Sequence, residues 1–262
     1  MKVLLSLDGA TKSGGAPLVL HNERLADPLN EFSREIAKVS KKRNKTEADY
    51  REIARLEFLG GLYTDDKGEP AVPAFNIIRC LQNGAKRHKR GMDVLRGVVP
   101  LIQMVPLAYE GPRVPDEMYR CGRFMLRKSV GIGGNRTMRT RPIFTNWSAV
   151  LPVEVDATVF DPDTLKNVWH EAGIYAGLCE MRPIYGKFKA MMTEWKMSGD
   201  DRIGEACYAL ACAISARRIQ IDDMYRDGRH GSIEDLLAAF ASSAESIDRE
   251  LAGFSTNGAK DS

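Results

Sequence analysis

Long apolar runs are missing from this chain of 262 residues. Nothing in it approaches the roughly 20 consecutive apolar residues that a membrane-spanning helix needs, so no membrane association is expected. The opening apolar stretch is cut short by Asp8 and is too brief for the core of a secretory signal. A cytoplasmic location is the expectation. Cysteine is sparse and never arranged as Cys-x-x-Cys: Cys80, Cys121, Cys179, Cys207 and Cys212 are scattered and odd in number. That argues against a disulfide framework and a zinc ribbon, and it predicts small buried apolar side chains. His21, His88, His170 and His230 stand alone, and His170-Glu171 lacks the second histidine of a zinc-protease helix. No Walker loop occurs, no six-residue dinucleotide glycine fingerprint and no Gly-x-Ser-x-Gly elbow. Asp65-Asp66, Asp200-Asp201 and Asp222-Asp223 read as turns. No metal, cofactor or dedicated active site is expected.

What the chain does have is charge, unevenly distributed. Residues 1–150 carry 26 Lys and Arg against 16 Asp and Glu, whereas residues 151–262 carry 12 against 19. The net charge of +3 therefore hides a basic first part and an acidic second part. Such a chain suits a polyanion, or a basic face of one copy meeting an acidic face of the next.

The expected class is α+β: a ferredoxin-like or RRM-like antiparallel sheet with insertions, followed by a C-terminal helical hairpin. Val3, Leu5 and Leu7 alternate as an opening strand. Leu29, Phe32, Ile36 and Val39 recur at helical spacing, as do Tyr50, Ile53, Ala54 and Leu56 through Phe58. Thr46, with Asp49 three residues on, predicts a capped start for the second of these helices. Residues 73–84 read as a helix with Pro near its start and Gly near its end. Residues 98–107 read as one buried strand interrupted at Pro100, and residues 124–132 as another, followed by a flexible Gly131-Ile-Gly-Gly-Asn135 loop. Residues 145–156 put Trp147, Ala149, Leu151, Val153 and Val155 on one face. Asp161-Pro162 starts a helix with Leu165, Val168, Trp169 and Ala172 as its buried stripe, and residues 185–195 return as a strand. The order is βαββαβ within residues 1–197. Residues 198–253 are expected to form two amphipathic helices, and 254–262 a flexible tail.

Three basic clusters occupy the first 150 residues. One is built on Lys41, Lys42, Arg43 and Lys45, with Arg34, Lys38, Arg51 and Arg55 around it. The second is Lys86, Arg87, Lys89 and Arg90, flanked by Arg79 and Arg96. The third is Arg127, Lys128, Arg136, Arg139 and Arg141, with Arg120 and Arg123 before it and no acidic residue between positions 118 and 153. A single cluster of this kind is explained by a solvated face. Three on one chain, one without acidic relief, point to phosphate-backbone binding. Phe124, Phe144, Trp147 and Tyr185 are the aromatics available for base stacking, although most of them are better explained as core, Trp147 in particular because it sits on the apolar face of its strand.

Two stretches carry a resemblance. Glu69-Pro-Ala-Val-Pro-Ala-Phe-Asn-Ile-Ile-Arg-Cys-Leu81 resembles the Ile-Pro-x-Ser-Ser-Leu-Lys-Gly-x-Leu-Arg segment of the RAMP superfamily, the guide-RNA-binding proteins of CRISPR effector backbones. Gly177-Leu-Cys-Glu-Met-Arg-Pro-Ile-Tyr-Gly-Lys-Phe188 resembles the glycine-rich loop before the last strand of those proteins. Asn76 and Cys80 stand where Ser and Gly are usual, and Cys179 replaces the loop's second glycine. Residues 1–190, and Arg139-Thr-Arg-Pro-Ile-Phe-Thr-Asn-Trp147 above all, also look like a family found in phages and prophages.

The resemblance implies an RRM-like fold, binding of single-stranded nucleic acid by the basic residues above together with Arg182, and assembly with itself or related subunits. Two other readings remain open. One is a metal-dependent ribonuclease using a loop aspartate such as Asp8, Asp27 or Asp65, as some RAMP relatives do. The other is a phage protein-binding or assembly module whose basic face meets an acidic protein.

Overall fold

A computed structural model describes residues 1–132 and 134–194. The expected helical hairpin over 198–253 and the tail over 254–262 lie outside the described residues. In chain order the elements are β1 (Lys2–Asp8), β2 (Leu18–Val19), α1 (Glu31–Ser40), α2 (Glu47–Gly61), β3 (Ala71–Pro73), α3 (Ala74–Ala85), α4 (Gly91–Gly97), β4 (Val98–Pro100), β5 (Met104–Pro106), α5 (Pro115–Cys121), β6 (Met125–Ile132), β7 (Asn135–Phe144), β8 (Ser148–Val155), α6 (Pro162–Glu171) and β9 (Lys189–Glu194). The class is α+β with antiparallel sheets, as expected.

The main sheet has the order β4-β8-β1-β9, with every neighbouring pair antiparallel. Set the insertions aside and the chain runs β1, α3, β4, β8, α6, β9. Each helix links two strands that have a third strand between them, which is the βαββαβ connectivity read from the sequence. Strand alternation turns Val3, Leu5 and Leu7 of β1 inward, where each is no more than 1% exposed. Ala149, Leu151, Val153 and Val155 of β8 join them, with Ile77 and Leu81 of α3 and Leu165, Val168 and Trp169 of α6. Val150 and Pro152, on the other face of β8, are buried too.

α6 begins as its sequence dictates. Asp161 caps it by accepting from the Thr164 N–H at 2.9 Å, and Pro162 fills the first turn. It runs into a π-helical turn over Ala172–Ala176 that ends at Gly177, φ 70°. Gly173 lies in that turn because a Cβ there would sit 2.3 Å from the Phe188 carbonyl oxygen. That close approach lets Phe188 stack on Trp169, ring centroids 4.9 Å apart.

A second sheet, β2-β7-β6, carries the long β6–β7 hairpin. Tyr109, Phe124 and Phe144 form its aromatic anchor, with centroids 4.8 to 5.6 Å apart. The expected flexible loop at 131–135 is the tip of this hairpin, where Ile132 pairs with Asn135.

Three expectations are corrected. The strand over 98–107 is two strands in different sheets: β4 pairs with β8, and β5 pairs with β3. Pro100 has no N–H with which to continue the ladder. Leu29 is not on the apolar face of α1 but precedes the helix and is 79% exposed. Asn30 accepts from the Phe32 N–H and so starts the helix after it. Cys121 is exposed rather than buried, at the end of α5, where its thiol bonds the Met118 carbonyl.

Candidate nucleic-acid interface

Three segments far apart in sequence meet beside the sheets. One is the face of α3 that bears Phe75, Arg79, Gln82 and Asn83, continued by Lys86; these positions recur every three or four residues and so share a face. A second is the loop over residues 177–188. It is tied to the chain around β2 by hydrogen bonds from Glu180 N–H to the Val19 carbonyl at 3.0 Å and from Gly186 N–H to the Pro17 carbonyl at 2.8 Å. Cys179 and Met181 in this loop both have φ 59°, a strained conformation for residues bearing a side chain. The third is the β6–β7 hairpin.

Between them lie two clefts. One, of about 460 Å³, is walled by Arg79, Lys86 and Arg182, with Tyr63 and Asn76 beside them. The other, of about 600 Å³, has Arg139, Thr140 and Arg141 facing Leu25, Ile36 and Ala37. His21 and Glu180 line both, so the clefts adjoin.

The register of the hairpin sorts its cations. Lys128 pairs with Arg139, so these two and Arg141 share a face, while Arg127 and Arg136 lie on the other. Like charges directly opposite on a ladder repel. The fold relieves this from outside the hairpin. Glu57 of α2, buried at 4% exposure, accepts from Arg139 Nη1 at 2.5 Å and from the Thr140 N–H at 2.8 Å. Arg141 pairs with Glu180 at 3.3 Å, and its buried Nε has no hydrogen-bond partner. Lys128 sits over the Tyr185 ring, 5.5 Å from its centroid.

Burial, and then the nearby Arg141 guanidinium, hold the His21 imidazole below its ordinary pKa, which leaves it neutral at pH 7. Burial raises the Tyr63 hydroxyl, which donates to the His21 carbonyl at 3.1 Å. Burial also pushes the Cys179 thiol up to about 12, so it is a poor nucleophile.

The sequence-predicted residues divide accordingly. Arg79, Lys86, Arg182, Arg139 and Arg141 line the clefts, and Lys128 flanks them. Arg127 and Arg136 are exposed on the far face of the hairpin, where Arg136 bonds the Ser129 hydroxyl. Lys41, Lys42, Arg43 and Lys45 occupy the turn between α1 and α2 and line neither cleft; Lys42 pairs with Asp49 at 2.6 Å. Lys89 is exposed just past α3. Arg90 braces the fold: it pairs with Asp93, donates to the Val159 carbonyl and covers the Phe160 ring. Of the four aromatics named for stacking, Phe124, Phe144 and Trp147 are core and Tyr185 is half-buried.

Sequence reading missed His21, Glu57, Tyr63, Asn76 and Glu180. Asn76 and Glu180 lie within the two motif-like segments, which could have flagged them; nothing local marks His21, Glu57 or Tyr63, which gain their places only when distant segments pack together. The loop aspartates serve local turns: Asp8 accepts from the Ala10 N–H, Asp27 from that of Leu29, and Asp65 from those of Lys67 and Glu69. Among the described residues, no three His, Cys, Asp or Glu gather to hold a metal ion, and no helix is long and apolar enough to cross a membrane. No protein-family model matches the chain, and no curated protein matches it either.

Proposed function

We propose that the protein binds single-stranded RNA or DNA along this double cleft, in the cytoplasm, without cutting it. One observation carries the reading. Cations from α3, the 177–188 loop and the β6–β7 hairpin, separate in sequence, line two adjoining clefts. Among the described residues, Lys86, Arg182 and Lys128 have no carboxylate at ion-pair distance, so their charge is free for phosphates. The RAMP-like segments support it, since residues 69–81 include Phe75, Asn76 and Arg79 of the cleft and residues 177–188 supply Arg182. The same resemblance extends the proposal to assembly with further copies or related subunits.

The test is fluorescence anisotropy with labelled single-stranded RNA, single-stranded DNA and duplex DNA at several salt concentrations. Tight single-strand binding that weakens steeply with salt is expected. The triple variant Lys86→Glu, Arg182→Glu, Lys128→Glu should bind about 100-fold more weakly. Its log–log salt slope should be shallower by roughly 2, since each lost single-strand phosphate contact removes about 0.7. No binding at low salt, or an unchanged triple variant, overturns the reading.

A further inference from the structure

Three aromatic rings among the described residues, Tyr50, Phe75 and Tyr175, are more than half exposed, and the last two are each paired with a guanidinium. Phe75 of α3 is 59% exposed at the rim of the first cleft, and Tyr175 in the π-helical turn after α6 is 51% exposed. Each is covered on one side by a guanidinium. Arg79 lies 4.9 Å from the Phe75 ring centroid, and Arg87 lies 4.2 Å from that of Tyr175. Neither guanidinium is loose. Arg79 donates to Gln82 Oε1 at 2.7 Å, and Arg87 donates to Glu171 Oε2 at 3.0 Å. The result is two ring–guanidinium pairs, each guanidinium held by a hydrogen bond of its own. Phe75 lies in the first turn of α3, and Arg87 in the 3-10 turn just past its end; the helix between them is on the order of 15 Å long at 1.5 Å per residue.

We infer that these stacks are base-stacking platforms, and that a bound strand leaves the double cleft along α3, laying one base on the Phe75–Arg79 stack and another on the Tyr175–Arg87 stack. The inference rests on the proposed single-strand binding and adds how the bases are held. Aromatic rings interleaved with cations suit a single strand of any sequence, because every base has a π-face. Charge balance separates the Tyr175–Arg87 platform from the phosphate-binding wall, whereas Arg79 belongs to both. Glu171 offsets Arg87 and also meets His88 at 3.0 Å, so that end offers little net attraction for phosphate. What remains there is the ring.

The experiment compares two labelled strands of equal length on the full chain: an oligothymidylate, and a strand with the same phosphates whose sugars carry no bases. Both should bind with the same salt slope, the base-bearing strand at least tenfold more tightly. Phe75→Ala and Tyr175→Ala should each weaken the base-bearing strand about tenfold and leave the abasic strand unchanged. Phe75→Trp should restore affinity. Equal affinity of wild-type protein for the two strands overturns the platforms while leaving phosphate binding intact. A preference for bases that survives both alanine variants overturns this placement of the stacking. Failure of either strand to bind at low salt overturns this inference together with the reading on which it rests.

Discussion

The main sheet and the β6–β7 hairpin are both antiparallel, yet they are held in opposite ways. In the main sheet, β1 and β8 press alternating apolar side chains into a core that α3 and α6 close, and little charge needs balancing. The hairpin carries Arg127, Lys128, Arg136, Arg139 and Arg141 with no acidic residue of its own. Its counter-charges come from α2, through Glu57, and from the 177–188 loop, through Glu180. One structure satisfies itself by burial. The other is satisfied only in part, by side chains from elsewhere.

The comparison is broken most severely from the sheet side. Trp169→Ala removes a ring that is 1% exposed, packs on Phe188 and donates to the Met191 carbonyl, and it should cost about 4 kcal/mol in a denaturant melt. Next comes Glu57→Gln, which leaves Arg139 without its buried carboxylate. It should cost roughly 2 kcal/mol in the same measurement, a figure kept modest because the Arg139 side chain is 36% exposed. A smaller effect sharpens the division within the hairpin itself. Reversing Arg127 and Arg136, on the face away from the clefts, should change stability by less than about 0.5 kcal/mol and weaken strand binding far less than the Lys86, Arg182, Lys128 triple.

The smallest effect is a pH dependence at the start of α2. Hydrogen bonds from the Lys42 ammonium and from Thr46 hold the half-buried Asp49 carboxyl at about 2, below its ordinary 3.8. A depressed folded-state pKa stabilises the ionised form, so its contribution is present above about pH 4 and is lost as pH falls towards 2. Helicity followed by circular dichroism through that window should fall less steeply in Asp49→Asn than in the wild type.

These two regions were also unequally legible in the sequence. The period-2 alternation of β1 and β8, the Thr46–Asp49 capping box and the Asp161-Pro162 start of α6 are local signals, and each produced its element. The capping box is closed in both directions, with Thr46 and Asp49 each accepting from the other's backbone. The basic clusters were legible as composition but not as geometry. Sequence spacing puts Arg136 and Arg139 on opposite faces of a strand but could not say which of them meets the clefts, since a change of register by one residue would exchange them. Nor could it say that the Lys41 to Lys45 turn lies outside the clefts. The acidic partners were invisible for the same reason: Glu57 is 82 positions from Arg139. Which aromatics stand in the open is likewise not legible, because exposure is a tertiary property. Phe144 and Phe75 look alike in a string, but one is walled in by Tyr109 and Phe124 and the other stands at a cleft rim.

The central place of β1 has a consequence for how the molecule is made. This strand pairs on one side with residues 148–154 and on the other with residues 189–194, both far later in the chain. The amino-terminal ammonium itself bonds the Val155 carbonyl at 2.6 Å. An apolar strand therefore waits through the synthesis of more than half of the described residues before either neighbour exists. Contacts of such long sequence separation slow folding and leave sticky edges uncovered in the meantime. Fusing the β8-α6-β9 segment ahead of β1, as a circular permutant cut within the β7–β8 connection, would bring all three strands out together. It should refold faster than the natural order while keeping the same sheet.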